Sequence, residues 1–130
     1  MASVKTKDEV ARRRRAPLRP VDMVHLTKQA LGDPGLEAEI LRAFSERIAE
    51  HFAALERSTT VEDLLHHLHT LKGASLGVGA WSLAEHAHVM ASELKAGGPV
   101  RPERVDDIEM AVEEVQHFIA QHLAHADLDG

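Results

Sequence analysis

The sequence predicts an all-α fold, an antiparallel up-down four-helix bundle with a short extra N-terminal helix. Three observations carry this expectation. Four long stretches place apolar residues at three- and four-residue steps, the period of a helix with one buried face. The breaks between them are short and rich in Gly, Pro, Ser and Thr, which favours antiparallel neighbours. The 130 residues include one Trp, three Phe and no Tyr, so the core must come from Leu, Ile, Val, Ala and Met. That set suits packed helices better than sheets. The length fits one domain with a single core.

Residues 1–19 show no apolar periodicity and lie among Pro17 and Pro20. They are expected to form a flexible basic arm, with the bundle domain spanning 20–130. The arm holds seven basic and two acidic residues, a balance of +5, so the total of −6 leaves the body at −11. A solvated tail resting on the acidic body is the plain reading of Arg12 to Arg15. Docking on acidic lipid or nucleic acid is the alternative. The acidic body itself argues against nucleic-acid binding by the fold.

Pro20, Val21 and Asp22 open the short helix, with Val21, Val24 and Leu31 at helical spacing, and Gly32-Asp33-Pro34-Gly35 ends it. The second helix begins near Asp33 or Pro34, a good N-cap followed by a residue suited to the first turn. Its inward stripe is Leu36, Ile40, Leu41, Phe44, Ile48, Phe52 and Leu55, with charged residues covering the outside. Thr60 caps the third helix, with Glu62 and Asp63 in its first turn, where the helix dipole favours acids. This helix is expected from about Val61 to Leu76, with Gly77-Val78-Gly79 as punctuation. The fourth helix turns Ala80, Leu83, Ala84, Ala87, Met90, Ala91 and Leu94 inward. Gly97-Gly98-Pro99 stops it. Pro102 starts the last helix, whose stripe is Val105, Ile108, Val112, Val115, Ile119, Leu123 and Ala126. Asp127 to Gly130 are expected to fray.

The stretch that carries chemistry is His69-Thr70-Leu71-Lys72-Gly73-Ala74-Ser75, on the third helix. Leu64, Leu65, Leu68, Leu71 and Ser75 make the inward stripe. His69 lies on its edge, roughly 100° from its centre, with Glu62, His66 and Gly73 on the same side. A glycine inside a helix costs about 1 kcal/mol against alanine, so something should compensate. One compensation is access: Gly73 lies one turn from His69 and leaves bare backbone beside the ring. Lys72, three residues on, can lay its stem along apolar neighbours and bring an ammonium beside the imidazole. Neutral imidazole is a nucleophile near pH 7, and a fixed cation offsets the charge of an incoming phosphoryl group. The bland alternative is a solvated helix surface with a tolerated glycine.

The same residues resemble the signature of histidine-containing phosphotransfer (HPt) domains, His-x-x-Lys-Gly followed by small residues and a further Gly-Ala. The matching positions are His69, Lys72, Gly73, Gly79 and Ala80, and the helix from Leu83 to Leu94 has the family's small-residue, Leu-containing pattern. The resemblance covers roughly Val21 to Ala126. Gly77 departs from it, and is expected to loosen the helix end without touching the reactive face.

The resemblance implies that His69 Nε2 accepts a phosphoryl group from a receiver-domain aspartate and returns it to another. Lys72 would steady the group and Gly73 would leave room for the receiver. The partners implied are response-regulator receiver domains and a hybrid histidine kinase. Mg²⁺ would be held by the receiver, and this chain would bind no cofactor of its own. The expected docking set is Glu62, Leu65, His66, Leu76 and Trp81. Trp81 has a second reading, as a cap on the bundle end. A monomer in the cytoplasm is the expectation.

Other classes are less well served. There is no Cys, which excludes a disulfide framework and thiol catalysis and fits a reducing compartment. No apolar run approaches the ~20 residues that span a bilayer, and no apolar segment follows Arg12 to Arg15 as a secretory signal would require. Ten His invite a metal reading, but Glu85/His88 and Glu114/His117 fall off the apolar stripes and should face water. His66/His69 and His122/His125 have a spacing that suits adventitious Zn²⁺ or Ni²⁺ only. No ATP-binding signature appears, so any phosphoryl donor must be another protein. A helical adaptor that binds a receiver or kinase without taking phosphate remains the alternative, with a metal-binding bundle behind it.

Overall fold

The computed structural model describes residues 19–129. They form five helices: α1 (Met23–Gln29), α2 (Pro34–Arg57), α3 (Val61–Val78), α4 (Trp81–Lys95) and α5 (Pro102–Asp129). The basic arm expected at the N-terminus lies outside the described residues apart from Arg19, which is exposed. Among the described residues, α2 touches α3, α3 touches α4, α4 touches α5, and α5 returns to α2. The diagonal pairs do not meet. With short connections at 58–60, 79–80 and 96–101, this is a square antiparallel bundle, and α1 packs over α2 and α3 at one end.

The first three helices each start at a side-chain cap. Asp22 caps α1 by accepting from the N–H groups of Val24 and His25, and Asp33 caps α2 through Gly35 and Leu36, with Pro34 in the first turn. Thr60 caps α3 through the N–H of Asp63. The core is almost wholly aliphatic. It is built on Leu41, Ile48, Leu68, Leu71, Leu83, Met90 and Ile108, with Phe44 and Phe52 from α2. Burying such side chains at roughly 1.5–3 kcal/mol each drives the assembly.

Several details differ from the sequence pattern. α3 does not stop at Leu76. It runs through Gly77 to Val78 and is ended by Gly79, whose φ of +85° only glycine adopts cheaply. In and around the first helix, Val21, Leu26 and Ala30 are buried, whereas Val24 is 68% exposed and Leu31 is 90% exposed. The reason for Leu31 is local: the helix ends at Gln29, and Leu31 sits in the left-handed region at φ +55°, which turns it off the apolar face. Leu36 and Ala126 are exposed and Ala111 is buried, since an α-helix drifts relative to a simple stripe. α5 stays helical to Asp129, past the expected fraying point.

Two knots hold the ends. At the α1 end, the Asp22 N–H donates to Gly79 O at 2.9 Å, and Trp81 Nε1–H donates to Asp22 Oδ2 at 3.0 Å. His25 adds Nε2 to Gly77 O at 3.2 Å and stands edge-on to Trp81 with centroids 5.0 Å apart. At the opposite end, Arg104 grips Glu93 with two bonds of 2.8 and 2.9 Å, joining α5 to α4. An apolar groove of about 330 Å³ opens at that end, lined by Leu55, Leu64, Val100 and Val105 among others.

Candidate functional site

α3 is the best-supported helix of the molecule, with α1, α2 and α4 packed against it. Leu64, Leu68, Leu71, Ser75 and Val78 are buried, which fixes how the rest of the helix faces. His69 then falls on the outer surface and is exposed. Among the described residues its ring makes no hydrogen bond, ion pair or stacking contact. It is a free imidazole on a rigid helix, which is the geometry a nucleophile for a large substrate needs.

Gly73, one turn on, is exposed, and a Cβ built there meets nothing within 4 Å. Nothing among the described residues requires a glycine at this position. Gly77, one further turn along, is open in the same way. The two extend a bare strip of backbone from His69 towards the α1 end. Gly79 is the opposite case. A Cβ there would lie 3.0 Å from Asp22 Cβ and 3.2 Å from both Asp22 O and His25 Cδ2. One glycine serves the fold, and Gly73 does not.

Lys72 is half-buried on the side of α3 that faces α4. Its Nζ lies 3.0 Å from His88 Nδ1, on α4. Among the described residues the ion pairs are both made by Arg104, so the Lys72 charge is not cancelled by a carboxylate. Glu85 and His88 are both exposed, as expected.

The expected docking residues divide. Glu62 and His66 are exposed, and Leu76 is 43% exposed, a large apolar side chain near the level of Gly73 and Gly77. Leu65 is half-buried and packs on the core. Trp81 is half-buried, with its indole N–H held by Asp22 at the α1 corner.

On the other flank of α3, His67 meets His51 of α2, with Nδ1 to Nδ1 at 3.1 Å. The His66 ring lies 5.1 Å from His67 and 6.5 Å from His51. Burial, then the neighbouring His67, Arg47 and His66, hold the His51 imidazole below its ordinary titration range, with Glu50 opposing. Among the described residues no three His, Asp or Glu side chains are arranged to hold a metal ion. This cluster and the Lys72–His88 pair escaped the sequence reading. Both join residues sixteen apart on neighbouring helices, a separation with no periodic signature.

Comparison with known families matches residues 39–118 to the model described as Hpt domain. That span takes in α2 from Glu39, all of α3 and α4, and most of α5. Comparison with curated proteins returns no match, and neither does comparison with solved structures.

Proposed function

The chain belongs to the Hpt domain family, whose work is phosphotransfer in two-component signalling with receiver and kinase proteins, and on that premise we propose that His69 is the residue that carries the phosphoryl group. The observation that carries this reading is a free, exposed imidazole on the same helix as an ammonium three residues on that no described carboxylate pairs with, and a glycine one turn away whose Cβ would meet nothing. In the proposed step, the His69 Nε2 lone pair attacks the phosphorus of a receiver's aspartyl phosphate. The P–O bond to the aspartate breaks and its electron pair leaves as carboxylate. The ring keeps its proton on Nδ1. The reverse step passes the group to the aspartate of a second receiver.

Lys72 supplies a positive charge where the phosphoryl oxygens gather, and Gly73 lets the receiver's surface approach the ring. Leu76 gives an apolar contact within a rim that includes Glu62 and His66. Mg²⁺ belongs to the receiver in this scheme and offsets phosphoryl charge there.

The test is labelling by a phosphorylated receiver. Wild-type protein acquires an acid-labile, alkali-stable label, His69→Gln acquires none, and the helical signal of the variant is unchanged. Equal labelling of the two removes His69 from the role. Binding of the receiver with no label on either protein identifies an adaptor instead.

A further inference from the structure

We propose that His88 is a positioning residue of the phosphoryl site: it fixes the Lys72 ammonium at the α3–α4 groove without cancelling its charge. The proposal rests on the phosphotransfer reading of His69 and adds a residue that the motif does not contain.

The argument starts from the hydrogen bond of 3.0 Å between Lys72 Nζ and His88 Nδ1. An ammonium has donors and no acceptor, so Nδ1 must present its lone pair. The His88 ring in this contact is therefore neutral and carries its proton on Nε2. A lysine side chain has four rotatable bonds, and on a solvated surface its ammonium samples many positions. Here the stem is half-buried and the tip is tied to a second helix. The ammonium is thereby preorganised, which is what electrostatic stabilisation of transferred charge requires.

The chemical type of the partner matters as much as its position. A carboxylate in place of His88 would hold the ammonium equally well, but it would neutralise it. Among the described residues no carboxylate pairs with Lys72, although Glu85 stands one turn before His88 on α4 and is exposed. A neutral imidazole holds the ammonium and leaves its full charge for an incoming phosphoryl group.

The decisive experiment is a set of substitutions read by single-turnover transfer from a phosphorylated receiver. Asn places Oδ1 close to where His places Nδ1, and Asp places a charged oxygen there. The expected results are transfer about three- to tenfold slower in His88→Ala, a rate within about twofold of wild type in His88→Asn, and a loss in His88→Asp as large as in Lys72→Ala. The double variant Lys72→Ala/His88→Ala should be no slower than Lys72→Ala alone, because the two residues act as one unit.

Wild-type speed or faster transfer in His88→Ala overturns the proposal. So do multiplicative losses in the double variant, or equal rates in His88→Asn and His88→Asp. A merely structural role would not separate Asn from Asp. A second readout needs no receiver: imidazole ¹⁵N shifts should place neutral His88 in the Nε2–H tautomer, and Lys72→Ala should shift its tautomer population towards Nδ1–H. Finding the Nδ1–H tautomer in wild type also overturns it. Failure of the wild type to take label would defeat the reading of His69 while leaving the tautomer result to judge His88.

Discussion

Replacing Gly73 by Ala separates the demands of the fold from those of the site. The residue lies within α3, five residues before its last helical position, Val78. An added Cβ would touch nothing within 4 Å, so no packing cost opposes the change. The unfolded chain loses conformational freedom and the helix gains a better former, a stabilisation of about 0.5–1 kcal/mol. For a domain of this size that is a rise of roughly 2–4 °C in melting temperature. The same methyl stands one turn from His69, on the surface that a receiver would cover in the proposed transfer. If that surface is close-packed in the complex, overfilling it costs about 1–3 kcal/mol, or roughly five- to 150-fold in the transfer rate at low receiver concentration. Urea unfolding followed by circular dichroism gives the first quantity, and rapid-quench labelling gives the second. A destabilised variant would mean that the fold, not a partner, needs the glycine. A stabilised variant that transfers at the wild-type rate would mean that nothing presses there. Either result refutes the reasoning.

Gly79→Ala should behave in the opposite way. It places a side chain at φ +85° and against Asp22 and His25, and the left-handed strain and crowding together predict a loss of about 2–4 kcal/mol in urea unfolding. Ser75→Ala should stabilise the protein by about 1 kcal/mol, because the Ser75 hydroxyl is buried with no hydrogen-bond partner among the described residues and alanine is the better helix former; a loss of stability would reveal a partner for that hydroxyl. The His51–His67 contact predicts a pH dependence. Burial and cationic neighbours lower the His51 titration in the folded state, so the unfolded chain binds the proton more readily. The contribution is complete above the ordinary histidine value of about 6.5 and is lost as pH falls through the lower folded value. Stability measured from pH 7.5 down to 5 should fall more steeply in wild type than in His51→Gln, and parallel curves would exclude His51 as the cause.

What could be read from the sequence follows a physical division. Periodicity is a local property, so the inward faces of α2, α3 and α4 were legible, as were the caps Asp33 and Thr60, which act within three residues. The exposure of His69 and the openness at Gly73 follow from the same helical wheel, which is why this part of the site was legible too. The end of α3 was misplaced because two glycines, Gly77 and Gly79, offered themselves and the tertiary contact with Asp22 selects Gly79. Trp81 shows the same limit. Its place in the sequence allowed a cap or a docking aromatic, and the bond to Asp22, 59 residues away, is decided by how the N-terminal segment crosses the α3–α4 corner. The Lys72–His88 and His51–His67 pairs depend on the rotation of α3 against its neighbours, a quantity that no single helix encodes.

That rotation gives α3 three different flanks. One faces the core through Leu64, Leu68 and Leu71, one meets α2 through His67, and one meets α4 through Lys72. The remaining surface carries His69 and Gly73, which no other part of the described chain touches closely. The outward residues are therefore free to be chosen for a partner, since the packed flanks already hold the helix in place. Lys72 is the exception. Its stem belongs to the α3–α4 contact and its charge belongs to the proposed site, so a shift of α4 against α3 would move the ammonium while leaving the imidazole where it is. The buried Ala84 and Ala87 of α4 are small enough to allow close approach of a neighbouring helix, and they sit within a turn of His88. The packing that gives the bundle its stability thus also sets the geometry of the one charge that the proposed chemistry uses.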